Sequence, residues 1–70
     1  MRDANRIRRF CNRLATAWEL VPDLRFGQLL FNIFIQIKNE GKDSFYVEDD
    51  SMIEYIEQYI ENHTGVTLHE

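Results

Sequence analysis

Residues 22–41 read PDLRFGQLLFNIFIQIKNEG. Pro22 ends whatever helix comes before it, because the residue preceding a proline is pushed out of the helical region. Asp23 is a suitable N-cap, so the spacing predicts a helix from about Leu24 to Lys38. Gly41, following Asn39 and Glu40, can end that helix by taking a left-handed conformation at no steric cost. Leu29, Leu30, Ile33, Phe34 and Ile37 recur at the 3–4 spacing of a core-facing stripe. Gly27 is the one weak position, worth roughly 1 kcal/mol relative to alanine, and a close helix crossing there would account for the missing side chain. The polar residues Arg25, Gln28, Asn32, Gln36 and Asn39 span only about 80° of the helical wheel. Beyond the core stripe, Leu24, Phe31 and Ile35 therefore form an extra apolar edge. Two readings follow: a central helix covered by both neighbours and by the next connector, or an exposed patch that marks a dimer or partner interface.

Upstream, Ile7, Phe10, Cys11, Leu14, Trp18 and Val21 fall on one helix face and predict a helix from about Ala4 to Leu20, capped by Asp3. Downstream, Lys42 to Glu48 is a connector whose Phe45, Tyr46 and Val47 are expected to lie across the end of the bundle. A third helix is expected from about Asp49 to Asn62. Acids at positions 48–50 suit its N-terminal dipole, and Val47 with Met52 or Ile53 could form a hydrophobic staple. Its apolar face is Met52, Ile53, Ile56, Tyr59 and Ile60, and Gly65 ends it. Residues 66–68 could pair with residues 45–47 as a short two-stranded ribbon. The fold class is thus mostly all-α, a small three-helix bundle forming a single domain over residues 1–70.

Seventy residues allow one domain with a modest core, about 60% of the unfolded surface being buried. With Cys11 the only cysteine, no disulfide can staple it, and Cys11, on an apolar face, reads as a small buried hydrophobe. One cysteine and two histidines fall short of a usual zinc set, and residues 48–50 lack the spaced ligand loop of a calcium site, so no metal or cofactor is expected. No apolar run is long enough to span a membrane and no signal peptide is recognisable, so a cytoplasmic location is expected.

The net charge of −4 conceals an asymmetry. Five arginines against Asp3 give residues 1–13 a balance of +4, and three bases against eleven acids give the remainder −8. Arg2, Arg6, Arg9 and Arg13 form one stripe on the first helix, and Asp50, Glu54, Glu57 and Glu61 have the same spacing on the third. Either the stripes are solvated faces that pair loosely, or one of them docks on an oppositely charged partner; a row of carboxylates can imitate a phosphate backbone. Arg25, in the first turn of its helix, is expected to bond Asp23 or the acids at 48–50, whereas Gln28 and Asn32 read as ordinary surface positions.

The three glycines are isolated, so there is no phosphate-cradling loop. No serine or cysteine nucleophile shares a recognisable local arrangement with His63 or His69, and His63 fits a helix C-terminus better than a catalytic base. An acidic last helix disfavours a groove-reading role on DNA or RNA, and the arginine stripe carries no evident base-reading side chains. The composition therefore points away from catalysis.

Pro22 to Leu30 and Phe45 to Asp50, with Trp18 just ahead of them, resemble a group of short uncharacterised proteins of bacteria and their phages, over roughly residues 5–60. The resemblance brings no catalytic residue or ligand. It implies an accessory protein that acts by binding, in a phage context an inhibitor of a host or defence protein. The expectation is a non-enzymatic protein-interaction module using Asp50, Glu54, Glu57 and Glu61, or Leu24, Phe31 and Ile35. The alternatives are nucleic-acid binding through Arg2, Arg6, Arg9 and Arg13, or a homo-oligomeric structural unit such as a homodimer.

Overall fold

The computed structural model describes residues 2–68. Three helices are present: α1 over Asn5–Trp18, α2 over Phe26–Asn39 and α3 over Asp49–Thr64, with a 3-10 turn at Ser44–Tyr46. α3 packs on both α1 and α2, more extensively on α1, whereas α1 and α2 come together at their connector, where Trp18 meets Phe26. The result is a small all-α three-helix bundle. The order of layers differs from one expectation: α3, not α2, is the shared helix, so one side of α2 is left uncovered.

Local chemistry explains the boundaries. The N-cap of α1 is Ala4 rather than the expected Asp3, which sits one residue before it and accepts from the Asn5 amide through Oδ1 at 2.9 Å. α1 stops at Trp18, two residues earlier than expected, and residues 19–25 form successive tight turns. The Trp18 indole Nε1 donates to the Leu24 carbonyl at 2.7 Å. That carbonyl is then engaged by the indole, and the chain enters α2 two residues later than predicted. Arg25, extended at φ −72° and ψ 149°, is the N-cap in place of Asp23. Gln28 is not an idle surface residue, for its Oε1 accepts from the Arg25 amide at 2.9 Å. Gly41 at φ +80° ends α2 with paired bonds, Lys42 amide to Ile37 carbonyl at 3.1 Å and Gly41 amide to Lys38 carbonyl at 2.9 Å.

The core consists of Ala17 from α1, Leu29, Ile33 and Ile37 from α2, and Ile53, Ile56 and Ile60 from α3. Each buried aliphatic side chain is worth about 1.5–3 kcal/mol relative to exposure. Val47 and Met52 both pack on this cluster, as the staple positions require. α1 is turned from the expected face: Phe10, Leu14, Ala17 and Trp18 face inward, while Ile7 is 52% exposed and Cys11 is exposed rather than buried. The small Ala17 lets α1 approach the core, and the turned face brings Arg6 and Arg13 within reach of α3.

Three further expectations are corrected. Residues 44–46 form a 3-10 turn, and no strand exists among the described residues, so there is no ribbon with residues 66–68. The Leu68 amide bonds the Glu61 carboxylate at 2.5 Å instead. Phe45 and Tyr46 do not cover the bundle end; they stand 83% and 77% exposed, ring against ring at 4.9 Å. Gly27 marks no helix crossing, since a Cβ built there meets nothing within 4 Å. His69 lies outside the described residues.

Candidate functional site

Two surfaces were singled out by the sequence, and their environments differ. The first is the seam between the charge stripes. α1 and α3 run parallel, so ascending positions on one face ascending positions on the other. Arg2 Nη2 lies 3.1 Å from Glu48, Arg6 is paired with Asp49, and Arg13 grips Glu57 through Nε to Oε2 at 3.0 Å and Nη2 to Oε1 at 2.5 Å. Arg9 stays on its own side, 4.0 Å from Asp3. The Glu57 side chain is only 7% exposed, which makes the Arg13 pair the one with most of its solvent removed. The hydrogen bonds that Arg13 donates to Glu57 hold its guanidinium above its ordinary value, with Glu54 and Asp50 adding to the field.

The four arginines thus line a cleft with Glu48, Asp49 and Asp50 rather than projecting as a free basic row. The acidic row is divided likewise. Glu57 is occupied by Arg13 and Glu61 by the Leu68 amide, which leaves Asp50 and Glu54 as the exposed members. Arg25 is exposed and forms no ion pair among the described residues, contrary to the expected bond with Asp23 or residues 48–50.

The second surface is the outer side of α2. Leu29, Ile33 and Ile37 point into the core, and at about 100° per residue Phe31 and Ile35 fall on the opposite side, with Phe34 at the edge between the two. They are 65%, 41% and 42% exposed. Leu24 is half-buried against the core, so of the predicted edge it is Phe31 and Ile35 that stand free. Phe34, assigned by periodicity to the core stripe, joins them. Beside Phe31 a shallow recess is lined by Leu24, Gly27, Gln28 and Asn32.

The polar flanks of α2 are fixed by α3. Asn32 Nδ2 donates to the Tyr59 hydroxyl at 2.8 Å, so Asn32 is a structural contact and not an ordinary surface residue. At the C-terminal end the Tyr55 hydroxyl donates to Glu40 at 2.7 Å and accepts from Lys42 Nζ at 3.0 Å. The Tyr55 bond holds Glu40 below its ordinary carboxylate value and Lys42 above its ordinary amine value. These bonds tie α2 to α3 while the side of α2 that carries Phe31 and Ile35 faces away. Sequence reasoning missed the tyrosine contacts because periodicity places Tyr59 by its ring, leaves Tyr55 unassigned, and says nothing of where their hydroxyls bond.

Among the described residues, no group of three or more His, Cys, Asp or Glu side chains is arranged to hold a metal ion. No helix is long and apolar enough to cross a membrane. No family model, curated protein or solved structure matches the chain.

Proposed function

We propose that this chain is a non-enzymatic protein-interaction module that binds through the outer side of α2. The observation carrying this reading is the row of Phe31, Phe34 and Ile35, exposed on a helix whose opposite side is fully packed. Folding leaves 65% of Phe31 and about two-fifths of Phe34 and Ile35 in water, and gains nothing from that exposed part. Binding does gain from them, since each can bury further area at about 25 cal/mol per Å². The helix presenting them is pre-organised by its Asn32 and Tyr55 contacts, which lowers the ordering cost of association.

The acidic row is the weaker candidate. Imitating a phosphate backbone needs a continuous set of free carboxylates, and the Arg13 bond to Glu57 interrupts it. The same pairing takes positive charge away from the arginine stripe, which weighs against the nucleic-acid reading. The resemblance to short bacterial and phage proteins fits a small accessory protein, and an inhibitor of a host protein is one form such a module takes. A reducing, cytoplasmic setting suits the exposed thiol of Cys11.

The reading is tested by photo-crosslinking in cells from a benzophenone residue at position 31, with position 54 on α3 as the comparison. Protein adducts from position 31 and none from position 54 are expected. Adducts from position 54 alone would transfer the function to the acidic helix.

A further inference from the structure

We infer that the outer side of α2 is the interface of an antiparallel homodimer, a second copy of this chain being its occupant. This rests on the interaction-module reading and names the partner. The first argument is area. An 8.4 kDa monomer is expected to expose about 4600 Å² by the scaling of surface with mass. The chain as a whole exposes 5416 Å², about 800 Å² more than that scaling gives, so it carries more uncovered surface than a compact monomer of its mass. The extended segment after Gly65 supplies part of the excess. Of the nine large apolar side chains exposed among the described residues, the outer side and edge of α2 carry Phe31, Phe34 and Ile35, while Phe26 packs its ring on Trp18.

The second argument is charge. The chain has a net charge of −4, so two copies repel unless they meet where acids are absent. α2 is that place: residues 26–39 contain no Asp or Glu and only one base, Lys38. α3, by contrast, carries Asp50 and Glu54 on its exposed surface. A contact between copies through α2 keeps these carboxylates apart.

Lys38 also selects the orientation. In a parallel pair of α2 helices the two ammonium groups stand side by side. In an antiparallel pair centred between Phe31 and Phe34 they lie roughly 16 Å apart along the axis, beyond the screening length in physiological salt. The helix dipoles then oppose one another as well. In that register Phe31 of one copy meets Phe34 of the other, and the recess beside Gly27 receives the Lys38 stem of the second copy.

The test combines sedimentation equilibrium of the full chain with photo-crosslinking of the purified protein. The mass should rise from 8.4 kDa at low micromolar concentration towards about 17 kDa near 1 mM. Phe31→Asp and, independently, Ile35→Glu should each weaken dimerisation by about tenfold or more with unchanged far-UV circular dichroism. A benzophenone at position 31 should attach to residues 34–38 of a second copy. A chain that stays at 8.4 kDa throughout overturns the homodimer. A dimer indifferent to both substitutions, and crosslinked elsewhere, overturns it equally. If the chain is monomeric but position 31 captures a different protein in cells, the homodimer fails and the module reading survives; if position 31 captures nothing, both fail.

Discussion

Arg13 on α1 and Glu57 on α3 form a two-bond clasp, Nε to Oε2 at 3.0 Å and Nη2 to Oε1 at 2.5 Å, with the carboxylate almost fully buried and the guanidinium half exposed. It joins two stripes of charge that the sequence presents as separate surfaces. Breaking it from the arginine side strands a buried carboxylate. Arg13→Ala should therefore cost about 1–3 kcal/mol in urea unfolding, less than a fully buried pair because solvent screens the arginine. Replacing both residues by Met and Leu should recover most of that loss. A double-mutant cycle measures the coupling, and additive effects would show that the clasp is not formed.

Trp18 secures the turn between α1 and α2 by donating its indole proton to the Leu24 carbonyl. Trp18→Phe retains most of the ring, including its place 5.3 Å from Phe26, and loses the bond. The expected cost is about 1 kcal/mol. Amide hydrogen exchange should show faster opening in the first turn of α2, with the centre of α3 unaffected.

Two glycines should respond with opposite signs. At Gly27 a Cβ meets nothing within 4 Å and the backbone is helical, so Gly27→Ala should stabilise the chain by about 0.5–1 kcal/mol at low micromolar concentration. At Gly41, with φ +80°, Gly41→Ala should destabilise by about 1 kcal/mol because an L side chain is strained there. Thermal unfolding of the two variants checks both signs.

The Tyr55 bond lowers the affinity of Glu40 for protons. A carboxylate depressed in the folded state contributes stability above its unfolded value, about 4.5, and that contribution is lost as the pH falls through the folded value. Tyr55→Phe should therefore lower stability at neutral pH and flatten the loss below pH 4.5. Urea midpoints at neutral and acid pH would reveal this; parallel curves for the two proteins would mean the bond is absent in solution.

The helices were legible because Leu29, Ile33, Ile37, Ile53, Ile56 and Ile60 keep helical spacing and Gly41 and Gly65 punctuate it. The ends of α1 and α2 were not, because Gln28 accepts from the Arg25 amide that local capping rules assign to Asp23, and the Trp18 indole donates to the Leu24 carbonyl, a contact no local rule anticipates. Cys11 and Phe34 show the limit of periodicity: each lies at the edge of an apolar arc, and the rotation of the whole helix determines which edge is wetted. For α1 that rotation matches the reach of Arg6 and Arg13 to α3, a tertiary fact. Of the candidate surface, Phe31 and Ile35 were visible as apolar positions in excess of what a core stripe needs. Their exposure depended on α3 being the shared helix.

Phe31, proposed to serve binding, stands 65% exposed and should contribute little to folding. Equilibrium urea unfolding of Phe31→Asp at low micromolar concentration tests this most directly. Stability within about 0.5 kcal/mol of the parent chain, with an unchanged denaturant slope, is the expected result. A loss of about 3 kcal/mol or more, the cost of removing a buried aromatic, would place Phe31 in the core and contradict the account.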